Sequence, residues 1–184
     1  MNEKTLKVLE YHKIIEMLMV KAESQLGKDK IKEIKPLIQI ETIEELQKET
    51  EEALSLLVKR GNPPLYGIHS ISLELKRLDI GGSISPGGLI KISDSLRVSR
   101  SLKGFIRETK DDKTSNHPII ENLVEGLSIF KEIEDEINGA IINENEISDN
   151  ASSTLRSIRR QISNKNDAVK DKLNSIIVSQ SNKN

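Results

Sequence analysis

The sequence predicts an all-α protein: a multi-helix body over residues 1–150, followed by one long protruding helix over 151–184. Three observations predict it. Aromatic residues are only 2% of the 184, Trp is absent, and the apolar residues are mostly Ile and Leu, which suits helix ridges better than a ring-lined ligand pocket. Apolar residues recur at 3–4 spacing along most of the chain. Between those runs stand the residues that start and stop helices: Ser24, Thr42, Pro36, Gly61, Gly81-Gly82 and Ser85-Pro86.

Taken in order, a first helix is expected from Tyr11 or His12, with Ile14, Ile15, Leu18 and Met19 on one face and Leu6, Val8 and Leu9 as a hydrophobic lead-in. Ser24 caps a second helix that must end before Pro36. Thr42 with Glu45 reads as a capping box opening a helix to Arg60, with Ile43, Leu46, Ala53, Leu54, Leu57 and Val58 inward and Gly61 as its left-handed stop. Asn62-Pro63-Pro64 makes a connector, and a short helix follows from Ile71 to Leu78. Ser85-Pro86 then starts a long helix to about Lys110 through Leu89, Ile92, Leu96, Leu102, Phe105 and Ile106. Gly87 and Gly88 imply fraying or tight packing in its first turn. Lys110 to Asn116 reads as a loop, His117-Pro118 as the start of a helix to Gly126, and Ser128 to Asn138 as another. The run Ala140 to Ile147 is the only strand-like material, a small hairpin or an extended turn.

From Ser152 to about Gln180 the chain reads as one amphipathic helix whose seam is Leu155, Ile158, Ile162, Val169, Leu173 and Ile176. Leu155, Ile162, Val169 and Ile176 fall on strict sevens. Such a seam needs a partner: an earlier helix, a second copy, or polypeptide beyond Asn184. The chain is accordingly expected to be part of a larger protein, with only Ser179 to Asn184 disordered.

Lys+Arg 28 against Asp+Glu 29 gives a formal net charge of −1, so overall charge predicts no polyanion partner. Local charge is uneven. Residues 121–150 carry nine acids against Lys131, and residues 151–184 carry seven bases against Asp167 and Asp171. Mutual neutralisation of the two blocks is one reading; a basic arm for nucleic-acid phosphates, centred on Arg156, Arg159 and Arg160, is the other. With so few aromatic residues for base stacking, any such contact would be to phosphates, without sequence specificity.

No catalytic constellation is visible. The histidines His12, His69 and His117 are more than 40 residues apart and lack the i, i+4 spacing of helical metal ligands, so capping or surface roles are expected. Ser85 lacks a Gly-x-Ser-x-Gly elbow, and its glycine-rich surroundings lack the Lys of a phosphate loop. The acids Glu132, Glu134, Asp135 and Glu136 lack calcium-loop spacing and read as a solvated face. Zero cysteines exclude disulfides and fit a reducing compartment, no signal-peptide pattern opens the chain, and no apolar run approaches the roughly 20 residues of a membrane span; the cytoplasm is the expected location.

The segments Thr5-Leu6-Lys7-Val8-Leu9-Glu10-Tyr11, Leu26-Gly27-Lys28, Glu49-Thr50-Glu51-Glu52-Ala53-Leu54 and Gly81-Gly82 with Ser85-Pro86, followed by Asp149-Asn150-Ala151-Ser152 and Leu155-Arg156-Ser157-Ile158-Arg159-Arg160, resemble in order and spacing the start of the bacterial MutS paralogue family. This is the branch without the mismatch-reading domain, associated with suppression of recombination and, in some bacteria, rescue of collided ribosomes. The resemblance implies a core domain over 1–150 and, over 151–184, the outgoing half of a lever arm leading to a clamp that contacts nucleic acid. It further implies a homodimer, branched or other DNA and the ribosome as partners, and no membrane. ATP and Mg would be cofactors of an ABC-type ATPase and a nuclease domain that lie outside this chain, since no Gly-x-x-x-x-Gly-Lys-Ser/Thr loop occurs in it. No cofactor and no enzymatic activity are expected of the chain itself. His12 stands where the family pattern has Asp, which leaves the start of the first helix open. The rival reading is a stand-alone coiled-coil dimerisation module.

Overall fold

A computed structural model describes residues 2–110 and 117–181; the expected loop after Lys110 lies outside the described residues, as do residues 182–184. The described residues are mainly helical: α1 (Glu3–Val8), α2 (Tyr11–Lys21), α3 (Gln25–Glu33), α4 (Ile40–Arg60), α5 (Ser72–Asp79), α6 (Pro86–Lys110), α7 (Pro118–Glu125), α8 (Lys131–Ala140) and α9 (Ser153–Ser181). A hairpin of β1 (Ile141–Asn143) and β2 (Glu146–Ile147), pairing Ile141 with Ile147, leads through a 3-10 turn at Asp149–Ala151 into α9.

The lead-in to α2 is itself a helix. The Asn2 side-chain oxygen accepts bonds from the Thr5 N–H and hydroxyl (2.9 and 2.8 Å), capping α1. Glu10, at φ +53, then turns the chain into α2. The left-handed residue makes the break, so His12 lies inside the first turn and its identity does not set the helix start. The Tyr11 hydroxyl donates to the Ile34 carbonyl (3.2 Å) and ties α2 to the end of α3, which Ser24 caps through Gly27 N–H (3.0 Å).

The capping box at Thr42 does not form. α4 begins two residues earlier at Ile40, and the Thr42 hydroxyl, already inside the helix, donates to the Gln39 side chain instead. The expected inward face holds only in part: Ile43 and Ala53 are half-buried, but Leu46, Leu54, Leu57 and Val58 are 40–78% exposed, whereas Leu56 is 4% exposed. Polar anchoring chooses the face: Glu52 accepts bonds from the Ile119 and Ile120 N–H groups (2.8 and 3.1 Å), capping α7 from outside, and Ser55 meets the His117 ring (3.1 Å). These bonds seat the Glu52–Ser55–Leu56 side of α4 on α7 and turn the more apolar side outward.

Leu56, Ile106 and Val124 form the buried core, with Leu102, Phe105, Ile120 and Leu127 against it. α6 is its spine. Ser85 caps it through Gly88 N–H (3.2 Å), and Gly88 is there for close approach: a Cβ would stand 2.6 Å from Ile84 and 3.3 Å from Glu74. α8 starts at Lys131, three residues later than expected, because Ser128 caps nothing and Phe130 occupies the N-cap position. α9 runs through Ser181, so the expected disorder from Ser179 does not hold for Ser179–Ser181.

Candidate functional site

The sequence points to the start of α9 as the place of function, and the structure builds that place from α6 outward. α8 is fixed on α6 by three polar bonds. Arg100 donates from Nε and Nη2 to both carboxylate oxygens of Glu134 (3.0 and 2.8 Å), and the Ser93 hydroxyl donates to the Asn138 side chain (2.8 Å). Glu134 is 4% exposed, so the acid assigned to a solvated face is in fact a buried anchor. The Arg100 bond holds its carboxyl below the ordinary value against the opposing effect of burial, and Glu134 in turn raises Arg100. Neighbours Glu132, Asp135 and Glu136 stay exposed, as expected.

From α8 the hairpin returns alongside α6, where Glu144 lies against Gly87 at the N-terminal turn, a favourable place for an acid. Ser148 N–H then bonds the Ala140 carbonyl (2.8 Å), and the Ser148 hydroxyl caps the 3-10 turn through Asn150 N–H (3.1 Å). α9 starts with Ser152 accepting from Leu155 N–H (3.0 Å).

Two of the three candidate arginines are spent on this joint. Arg159 donates to the Ile147 carbonyl (2.9 Å) and pairs with Asp149, and Arg156 donates to the Asn150 side chain (2.5 Å). Arg160 is exposed. The acidic block and the basic helix thus meet at their junction, and the arginines fix the direction in which α9 departs. The seam beyond Leu155 lies open: Ile158, Ile162, Val169, Leu173 and Ile176 are 47–58% exposed.

His117 stands at the N-cap position of α7, as expected of a histidine at a helix start, but its ring caps nothing there and is not on the surface. It is 2% exposed, bonded to Ser55, and joins α4 to α7. Its partner lies 62 residues away, so no local pattern signals it. Among the described residues, no group of three His, Asp or Glu is placed to hold a metal ion, and no helix is long and apolar enough to cross a membrane.

A helical body held by buried polar anchors, carrying a stapled arm, has the construction of a structural segment. Comparison with known proteins gives that class a name. The chain is 52% identical over 182 residues to endonuclease MutS2 of Alkaliphilus oremlandii, covering 99% of this chain and 23% of that protein. It is 49% identical over 179 residues to the endonuclease MutS2 of Clostridioides difficile (97% and 22%) and 46% identical over 177 residues to that of Acetivibrio thermocellus (96% and 22%). No protein-family model matches it. Over nearly its whole length the chain is therefore homologous to a segment of the endonuclease MutS2 proteins, and it spans less than a quarter of the length of these relatives.

Proposed function

We propose that the chain is the N-terminal core-and-lever segment of an ATP-dependent, MutS2-type DNA-binding protein that restrains recombination and acts on stalled ribosomes in the cytoplasm. In this reading residues 1–150 are a stiff body and α9 is the lever that links the state of an ATPase elsewhere in the protein to the position of a nucleic-acid clamp. One observation supports it most: the surface is far too large for a finished monomer. The chain exposes 14489 Å², against roughly 8,900 Å² for a compact protein of 20.7 kDa. Much of the excess is large aliphatic side chains on α2, α4 and α9. Surface of that kind is suited to being covered by further polypeptide.

ATP and Mg belong, in this reading, to the remainder of the protein, because the chain offers no phosphate loop. The isolated chain is expected to show no saturable ATP binding by calorimetry at micromolar concentrations; saturable binding there would remove the division of labour proposed. Direct DNA contact should be poor as well. Arg156 and Arg159 are committed to the joint, the net charge is −1, and screening at physiological salt confines electrostatic attraction to about 8 Å. Duplex and branched DNA are expected to bind at roughly 10⁻⁴ M or weaker, with steep salt dependence. A salt-titrated assay finding submicromolar affinity at 150 mM salt, lost on changing all three arginines to Ala, would make α9 a primary contact instead of a lever.

A stand-alone parallel coiled coil through α9 is disfavoured by the seam itself. Lys165 and Lys172 stand at its alternate positions, where a parallel partner would set like charges against each other.

A further inference from the structure

α6 is the spine of the body, yet its middle is made of weak helix formers: between Ser93 and Gly104 it carries four serines and a glycine. Partners account for two of the serines. Ser93 holds Asn138, and Ser95 accepts from the His69 N–H (3.1 Å) and so pins the connector that precedes α5. Ser99 donates to the Ser95 carbonyl of its own helix (3.0 Å), a back-bond of the kind that bends helices. Gly104 has no steric reason to be glycine. A Cβ there would meet nothing within 4 Å, in contrast to Gly88, and its φ is not positive. An interior helical glycine in open space weakens the helix and gains nothing from packing.

The partners of α6 change at the same place. Up to Arg100 the helix is held by α8, through the bonds to Asn138 and Glu134; from Leu102 onward it is held by the cluster in which Leu102, Phe105 and Ile106 meet Leu56 of α4 and Val124 of α7. Helix geometry joins the Gly104 N–H to the Arg100 carbonyl, so the turn that ends at Gly104 is the turn that divides the two sets of partners. We propose that α6 is hinged in this turn, and that the α4–α7 end of the body swings about it relative to the α8–hairpin end that carries α9. Gly104 faces a groove between α6 and α7 of about 700 Å³, lined also by Lys103, Arg107, Val124, Glu125 and Ile129, which gives the bend room. Each end keeps its own buried bonds, so the stiffness of the body resides in two units and the bend lies between them. The arm thereby gains a second direction relative to α4 while the Arg156 and Arg159 staples stay closed. The hinge stands on packing within this chain, with or without the ATP-linked reading.

The chain has no cysteine, so pairs of spin labels can be placed cleanly. Glu51→Cys on α4 and Glu136→Cys on α8 are exposed positions on the two ends. Double electron–electron resonance between them is expected to give two distance populations in the labelled chain. Gly104→Ala should lower the minor population about two- to fivefold, the factor by which alanine favours unbroken helix over glycine. Gly139→Ala is the control: Gly139 is also helical with nothing within 4 Å of a Cβ, but it lies on α8 away from the dividing turn, and should leave both populations unchanged. A Gly104→Ala chain that melts no lower than the wild type shows that the variant is folded and the position open; a lower melting temperature would remove the premise. A single narrow distance in the labelled parent, or populations that Gly104→Ala leaves as they are or that Gly139→Ala alters equally, would overturn the hinge.

Discussion

Truncating Leu56 to alanine is expected to destabilise the helical body by about 2–5 kcal/mol, the usual range for emptying a fully buried leucine site. Leu56 is the residue by which α4 enters the core, resting with Ile106 and Val124. Few side chains are buried as completely, so little neighbouring apolar mass is available to close the cavity. For a chain of this size the loss corresponds to a fall in Tm of about 5–15 °C. Leu54→Ala, two residues away on the outward stripe, should cost less than about 1 kcal/mol, because that side chain is 59% exposed. Thermal melts of the two variants at low micromolar concentration decide the matter. Equal losses would mean that α4 is seated on the face its periodicity suggests and not on the face that its polar bonds select.

The second large effect is at the Arg100–Glu134 pair. Arg100→Met leaves a buried carboxylate with no counter-charge and should be strongly destabilising, while Arg100→Met with Glu134→Gln removes both charges and should recover much of the loss. The same pair sets a pH dependence. Because the Glu134 carboxyl is held below its ordinary value of 4.5, the folded state binds its proton less readily than the unfolded chain does. Its contribution is complete above about pH 4.5 and disappears as pH falls through the lower folded value. Glu134→Gln should therefore flatten this part of the acid limb of the stability curve below pH 4.5 without changing its form near neutrality. Denaturation curves that run parallel for wild type and variant down to pH 3 would show that the pair carries no net stabilisation.

The helices were legible in the sequence where a cap or a breaker is local. Ser24, Ser85-Pro86, Gly61 and Ser152 act where the sequence places them, within four residues of the groups they satisfy. Faces were less legible, and α4 shows why. Its apolar spacing marks a stripe, but two bonds from Glu52 to α7 and one from Ser55 to His117 connect residues more than 60 positions apart and seat the opposite side. Glu134 was hidden for the same reason: in sequence it is one acid in a row of acids, and only α6 packing distinguishes it. At the joint the alternation of acidic and basic blocks was legible, and the structure shows part of that neutralisation in Arg159 with Asp149. The α9 seam was legible as a stripe in need of a partner, and within the described residues it has none beyond its base.

The central claim, that this chain transmits an ATPase state without sensing nucleotide itself, is tested most directly by hydrogen exchange of residues 147–160 in two settings. In the isolated chain, ATP with Mg is expected to leave exchange at the joint and the start of α9 unchanged. In the full-length protein of which it is proposed to be a segment, the same addition should shift exchange there, because the staples of Arg156 and Arg159 set the direction of the arm. A nucleotide response in the isolated chain, or none in the full-length protein, would contradict the account.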